Sequence, residues 1–281
     1  METAIRTARR KTIRVAPPTR WVEIDLAELW QHRELLYFLI WRHLRLRYKQ
    51  TVLGATWAVL QPLLTMLTFT LIFGRLAKLP SQGLPYPIFY YTGLLPWLYF
   101  ANSLTAATNT MVDHQRMITK VYFPRILLPA AAVLAGLVDF AAAFGVLLLM
   151  MLAYGIIPTG LILLAPVFLL LAVATALGVG LGLAALYARY RDVRYALQFG
   201  ITLWMFVSPV LYPSTMIPDR WRWLYGLNPI AGVLEGFRWT VTGAEEPGAA
   251  LLIASALVAI ATLLGGLLYF QHVEATIADV V

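Results

Sequence analysis

Long apolar stretches, parted by short charged or proline-bearing segments, organise this chain. Six of them run approximately over residues 52–76, 88–110, 126–154, 160–187, 196–212 and 249–271. A helix needs about 20 mainly apolar residues to cross a bilayer. The fourth stretch is long enough to tilt or to extend past the membrane. The fifth is short, and "SPVLYP" ends it with two prolines that break helical hydrogen bonding. The pattern predicts an all-α polytopic membrane protein with six transmembrane helices. Pro62 falls within the first span, where the lost donor and the clash with the preceding turn predict a kink.

The flanking segments have their own periodicity. Residues 25–50 read "DLAELWQHRELLYFLIWRHLRLRYKQ". Asp25 and Glu28 mark a helix start, with carboxylates at the positive end of the dipole. Tyr37, Trp41, Leu44 and Tyr48 share one face, and Glu34, Arg42, Arg45 and Lys49 another. That is the pattern of an N-terminal amphipathic helix lying in the membrane interface against lipid headgroups. A helix that only anchors the first span reads the same way. Between the fifth and sixth spans, residues 213–247 are too polar to cross and too apolar for a solvated loop. Trp221, Trp223, Tyr225 and Trp239 there suit a membrane interface. A pair of short re-entrant helices broken near "GLNP" is expected on the external side, as a gate or as a plain structural hairpin. Three segments result: a basic tail over 1–24, the interface helix over 25–50 and one six-span domain over 51–281.

Composition agrees with the pattern. Of 281 residues, 60% are hydrophobic and 13% charged, and the mean hydropathy is +0.72; soluble domains carry about 25% charged residues. The absence of cysteine excludes disulfides, thiolate metal sites and cysteine nucleophiles. No apolar run directly follows the basic start, so a cleavable signal peptide is not expected. A net charge of +8 suggests nucleic acid in a soluble protein; here topology accounts for it, and no nucleic-acid partner is expected. Seventeen Lys and Arg residues lie on the side of both termini and of the loops 111–125 and 188–195, against five on the other. The excess places both termini and those two loops in the cytoplasm.

Catalytic patterns are missing. No G-x-x-x-x-G-K-[ST] loop exists to cradle nucleotide phosphates, and no G-x-S-x-G elbow. His32, His43, His114 and His272 lack metal-ligand spacing. Asp139 is the one carboxylate well inside a span; beside small residues, such an acid more often bonds a neighbouring helix than carries protons. No enzyme activity, metal or cofactor is therefore expected of this chain. Ala174, Gly178 and Gly182 form a small-residue stripe that predicts close helix packing.

One loop fits neither a span nor a solvated linker: "VDHQRMITKVYFPRILLPA", residues 112–130. It belongs to an ordered set. "RYKQTVLGATWAVLQPLL", with Arg47, Leu53, Gly54, Trp57 and Pro62, comes first; "GLLPWLYFANSLTAATNTM", "MITKVYFPRILLP", "YARYRDVRYALQF", "NPIAGVLEGFR" and "VEATIADVV" follow. From about residue 26 to 279 the chain resembles the membrane subunits of type-2 ABC exporters that secrete cell-surface polysaccharides such as O antigen, capsule and teichoic acids. The resemblance implies a homodimer in the bacterial inner membrane, two ATPase subunits on its cytoplasmic face that carry the ATP and Mg2+, and a polysaccharide or lipid-linked glycan as substrate. It makes the first cytoplasmic loop a coupling helix seated on the ATPase, with polar and basic contacts from His114, Gln115, Arg116, Lys120 and Arg125, an apolar anchor in Tyr122 and Phe123, and a sharp re-entry at Pro124. Arg189, Arg191 and Asp192 form a second contact. Purely topogenic charges explain those arginines too, but not Phe123–Pro124.

Glycans have apolar C–H faces, so aromatic platforms suit their passage. On the first span these are Trp57, Phe69 and Phe73; on the second, Tyr90, Trp97, Tyr99 and Phe100; on the fifth, Trp204, Phe206 and Tyr212. Trp57 and Trp204 stand foremost. Interfacial belts and lipid-facing packing account for single aromatics equally. Three other functions compete: a type-2 exporter of small hydrophobic drugs or other lipids; a membrane-embedded glycosyl- or acyltransferase, for which convergent carboxylates or a histidine–acid pair are wanting; and a non-transporting scaffold subunit, which the amphipathic lead helix alone would suit.

Overall fold

The computed structural model describes residues 26–49 and 54–280, and among these every regular element is helical. Asp25, expected at the start of the N-terminal helix, lies outside the described residues. In chain order the helices are α1 (Leu26–Gln31), α2 (Arg33–Tyr48), α3 (Trp57–Phe69), α4 (Tyr86–Asp113), α5 (Gln115–Ile118), α6 (Leu127–Ala153), α7 (Ala165–Arg189), α8 (Val193–Val207), α9 (Asp219–Tyr225), α10 (Pro229–Thr242) and α11 (Ala249–Val280). Four helical segments are long and apolar enough to cross a membrane: Trp57–Leu76, Leu127–Ala153, Gly160–Arg189 and Ala249–Glu274. This is a multi-pass membrane protein.

The two remaining predicted spans coincide with α4 and α8, and both differ from the four for physical reasons. At 28 residues α4 has the length, but its sequence includes tyrosine, threonine and asparagine throughout. From Ile88 to Trp97 every residue is buried, because α4 packs between α6 and α7. A helix wrapped by protein can bury polar atoms on its neighbours instead of presenting hydrocarbon to lipid. Thus the Tyr91 and Tyr99 hydroxyls donate to the Ala143 and Val133 carbonyls of α6, each at 3.2 Å. α8 spans only 15 residues and stops at Ser208, before the two prolines.

Pro62 is buried inside α3, which continues through it; the winding changes further on, in a π-helical turn over Thr70–Leu76. The α7–α11 seam is the most extensive helix contact in the bundle. At its centre, a Cβ on Gly178 would lie 2.5 Å from the Leu263 backbone. Gly180 instead faces Ala107 of α4, and Gly182 meets open space. Close packing therefore runs through Gly178, not along the whole predicted stripe.

α2 lies across the base of the bundle. Leu39, fully enclosed, and Leu35, Leu36 and Ile40 pack into a cluster with Met111, Ile118, Phe123, Leu127, Ala185 and Phe270. Trp30, Tyr37, Phe38 and Trp41 remain exposed, and the Arg45 guanidinium sits 4.5 Å from the Trp41 ring centroid. Leu35, Leu36, Leu39 and Ile40 thus face the bundle, and Trp30, Tyr37, Phe38 and Trp41 face away from it. α10 is the opposite case: its residues from Pro229 to Arg238 are all buried, and the Asn228 side chain caps it by accepting from the Ile230 N–H at 3.1 Å.

Candidate functional site

The loop between α4 and α6 is built from a terminated helix and an inward anchor. α4 ends at Asp113, and α5 supplies a single turn. Phe123 is only 5% exposed and reaches into the cluster that holds Leu39, Ala188 and Phe270. Arg125 ties the same strand of chain to α11: its N–H donates to Glu274 Oε1 at 3.2 Å, and its guanidinium donates to the Glu274 carbonyl. Pro124 is half-buried between these fastenings. Gln115, Arg116, Lys120 and Tyr122 project outward, Tyr122 at 76% exposure. His114 does not. It is buried against His43 of α2, ring centroids 5.5 Å apart, with Nδ1 3.0 Å from the Thr110 carbonyl. Burial first, then the neighbouring His114, Arg47 and Arg42 charges, lowers the His43 pKa from 6.5 to about 4. Burial lowers that of His114 as well. Both imidazoles are neutral near pH 7, and a neutral pair can be enclosed among arginines.

The α7–α8 turn reaches this same end of the bundle, since Ala184, Ala185 and Ala188 share the Phe123 cluster. Arg189, Arg191 and Asp192 are exposed there. The two guanidiniums lie 5.4 and 5.8 Å from the ring centroids of Tyr190 and Tyr187.

The aromatic residues divide by burial. Tyr90, Trp97 and Phe100 are enclosed in the core, and Tyr99 is buried with its hydroxyl on α6. Phe69 and Phe73 are half-buried and meet edge to face at 5.6 Å. Trp204 stands edge-on to Phe100 at 5.0 Å, and its indole N–H donates to Asn228 Oδ1 at 2.9 Å. Tyr212 is half-buried, its hydroxyl donating to the Phe206 carbonyl at 3.0 Å. Trp57 and Phe206 are open, near 50% exposure. In α9, Trp221 is equally open and Tyr225 half-buried; the Trp223 side chain is outside the described part. Sequence reasoning passed over Tyr195, Phe199 and Leu203, which with Phe206 make one uncovered stripe along α8. Their spacing of three and four was the available signal.

Two polar clusters were also missed. In α10, Arg238 is 1% exposed, pairs with Glu235 at 2.9 Å, donates to the Pro209 carbonyl at 2.9 Å, and lies 4.1 Å from the Phe89 ring centroid. Glu235 in turn accepts from the Ser214 N–H at 3.2 Å and its hydroxyl at 3.1 Å. The two charges thereby pin the proline-broken segment after α8 onto α10. A glutamate and an arginine at i, i+3 in one helix was the legible part. The second cluster supplies partners for Asp139: Arg47 forms an ion pair with it and the Tyr48 hydroxyl donates to it. This is helix-to-helix bonding of an intramembrane acid, here from α2 to α6. The cluster borders a cavity of about 500 Å3 between α3, α4 and α6. Among the described residues, no group of three His, Cys, Asp or Glu side chains could hold a metal ion.

The geometry is thus that of a helical bundle with several segments able to cross a membrane and a fastened polar loop at one end. The chain belongs to the ABC-2 type transporter family, whose model matches residues 34–242. Among curated proteins it is 34% identical to the O-antigen export system permease protein RfbA of Myxococcus xanthus, over 84% of this chain and 91% of that one. It is 29% identical to a Klebsiella pneumoniae protein of the same name, over 73% and 79% of the two chains. The polysialic acid transport protein KpsM of Escherichia coli is 25% identical over 86% of this chain and 94% of that protein.

Proposed function

We propose that this chain is the permease subunit of an ABC exporter that moves a cell-surface polysaccharide or lipid-linked glycan across the bacterial inner membrane, driven by ATP hydrolysis in a separate subunit. The observation that carries this reading is the near full-length similarity to relatives named for O-antigen and polysialic acid export. In this reading α4 and α8 cross the membrane with the four more apolar segments, giving six spans. The excess of positive charge puts both termini and the Phe123 loop in the cytoplasm. The uncovered aromatics of α2 lie in the interface, and α9–α10 re-enter from the external side, with Trp221, Trp223 and Tyr225 at a gate.

Two copies meet across the uncovered faces of α3 and α8, where Leu64 and Leu67 of α3, Leu71 of the turn after it, and Phe199, Leu203 and Phe206 of α8 are exposed. The glycan passes between them, against Trp57, Trp204 and the open rings of α8. The ATPase grips Gln115, Arg116, Lys120 and Tyr122, and makes a smaller contact at Arg189, Arg191 and Asp192. Phe123 and Arg125 face inward, so they pass force on to the bundle; His114 holds the loop to α2.

Deleting the gene should remove the surface glycan, and the wild-type chain should restore it. The Arg116→Ala/Tyr122→Ala double variant should insert normally yet restore about a tenth of the glycan or less, since outward loop residues at a transient interface act through a few contacts. Surface glycan that survives the deletion refutes the export reading. Full restoration by the double variant refutes the docking.

A further inference from the structure

The cavity between α3, α4 and α6 has a lining that a lipid-embedded bundle does not need. Its volume of about 500 Å3 falls in the range of about 300–1,000 Å3 typical of small-molecule sites. The Arg47–Asp139 pair and the Tyr48 hydroxyl lie on one side. The exposed amides of Gln61 and Asn102 and the half-exposed ring of Trp57 border the rest. The guanidinium and carboxylate side chains keep 37% and 21% exposure. An ionised carboxylate inside a membrane segment, as Asp139 is, faces the bundle interior or a water-filled cavity and takes a paired cation.

The charge balance selects the occupant. Among the described residues, Arg47 and Asp139 are the only charged ones of the lining, and they cancel. A phosphate or carboxylate would need an uncompensated cation, whereas the guanidinium here is already neutralised. A neutral polyol does not. Each of its hydroxyls both donates and accepts, so two vicinal hydroxyls can bridge the guanidinium N–H groups and a carboxylate oxygen without parting the pair. The amides of Gln61 and Asn102 offer further donors and acceptors, and the Trp57 face suits the apolar C–H side of a pyranose. We infer that this cavity is a subsite for a neutral sugar unit, bound beside the ion pair that joins α2 to α6. The inference rests on the glycan-export reading, and it sets the subsite within one protomer, under the helix that leads into the first span.

The chain has no cysteine, so Ala106→Cys and, separately, Ala58→Cys each place a unique thiol in the cavity wall. The full transporter with its ATPase, in liposomes, is treated with a water-soluble maleimide, and labelling is read on this chain after denaturing electrophoresis. Methyl glycosides of glucose, mannose, galactose and rhamnose serve as probes beside inorganic pyrophosphate. At least one glycoside should slow labelling about threefold when present at about twice its Kd, and pyrophosphate should leave the rate unchanged. Asp139→Asn in the same background should abolish the protection; if that variant fails to insert, Asn102→Ala should weaken it. No labelling at either cysteine, no protection by any glycoside, or protection by pyrophosphate alone overturns the subsite. The deletion strain separates the two readings: glycan lost on deletion with no protection sinks only the subsite, and glycan retained sinks the export reading itself.

Discussion

Replacing Arg238 by methionine would leave the Glu235 carboxylate enclosed with Ser214 as its hydrogen-bond donor, because among the described residues the guanidinium is the one cation paired with it. Removing one member of a buried pair costs about 3–5 kcal/mol, whereas replacing both by apolar groups is often neutral. Arg238→Met should therefore lower the melting temperature of the detergent-solubilised chain sharply, and Glu235→Gln/Arg238→Met should recover much of the loss. A double variant as unstable as the single one would show that the contacts to Pro209 and Phe89 matter more than the ion pair. Residue-level reasoning from sequence reached this site only in part. "LEGFR" shows the i, i+3 spacing, but the carbonyl of Pro209 and the ring of Phe89 come from elements far away in the chain. Asp139 gives the same lesson in reverse. That it bonds a neighbouring helix was readable from its isolation among small residues; that the partners are Arg47 and Tyr48 was not, since they lie outside every apolar stretch.

Among the helices, the α7–α11 seam gives the clearest contrast. Gly178→Leu places a Cβ 2.5 Å from the Leu263 backbone, while the Cβ of Gly182→Leu on the same helix meets nothing within 4 Å. Overpacking costs about 1–3 kcal/mol where side chains can shift, and a backbone obstacle yields less readily. The first variant should reduce the yield of monodisperse protein in detergent and the second should leave it near wild type; equal yields would dissolve the close-packed seam. Hydropathy located most of the helices because an apolar run has few alternatives inside a bilayer. It separated α4 from the others poorly, since a helix surrounded by protein answers to its neighbours and not to lipid. Aromatic content is ambiguous in a related way. Tyr90, Trp97 and Phe100 look like lumen rings in sequence yet form the core, and only burial tells a platform from packing.

For the whole molecule, the uncovered stripe on α8 is where the proposed pairing of two copies can be tested. Leu203→Cys, in a chain with no other thiol, should form a disulfide-linked dimer in native membranes if two copies meet across α8; a cysteine at Leu149, exposed on α6, should not. The reverse pattern would move the contact to α6. One fastening bears on handling the protein. Because Arg125 holds on to Glu274, the last helix doubles as a stay for the loop between α4 and α6. Any appendage fused close behind residue 274, or any shortening ahead of it, pulls on that stay, and such preparations will carry a loosened α4–α6 loop whatever else they are used to measure.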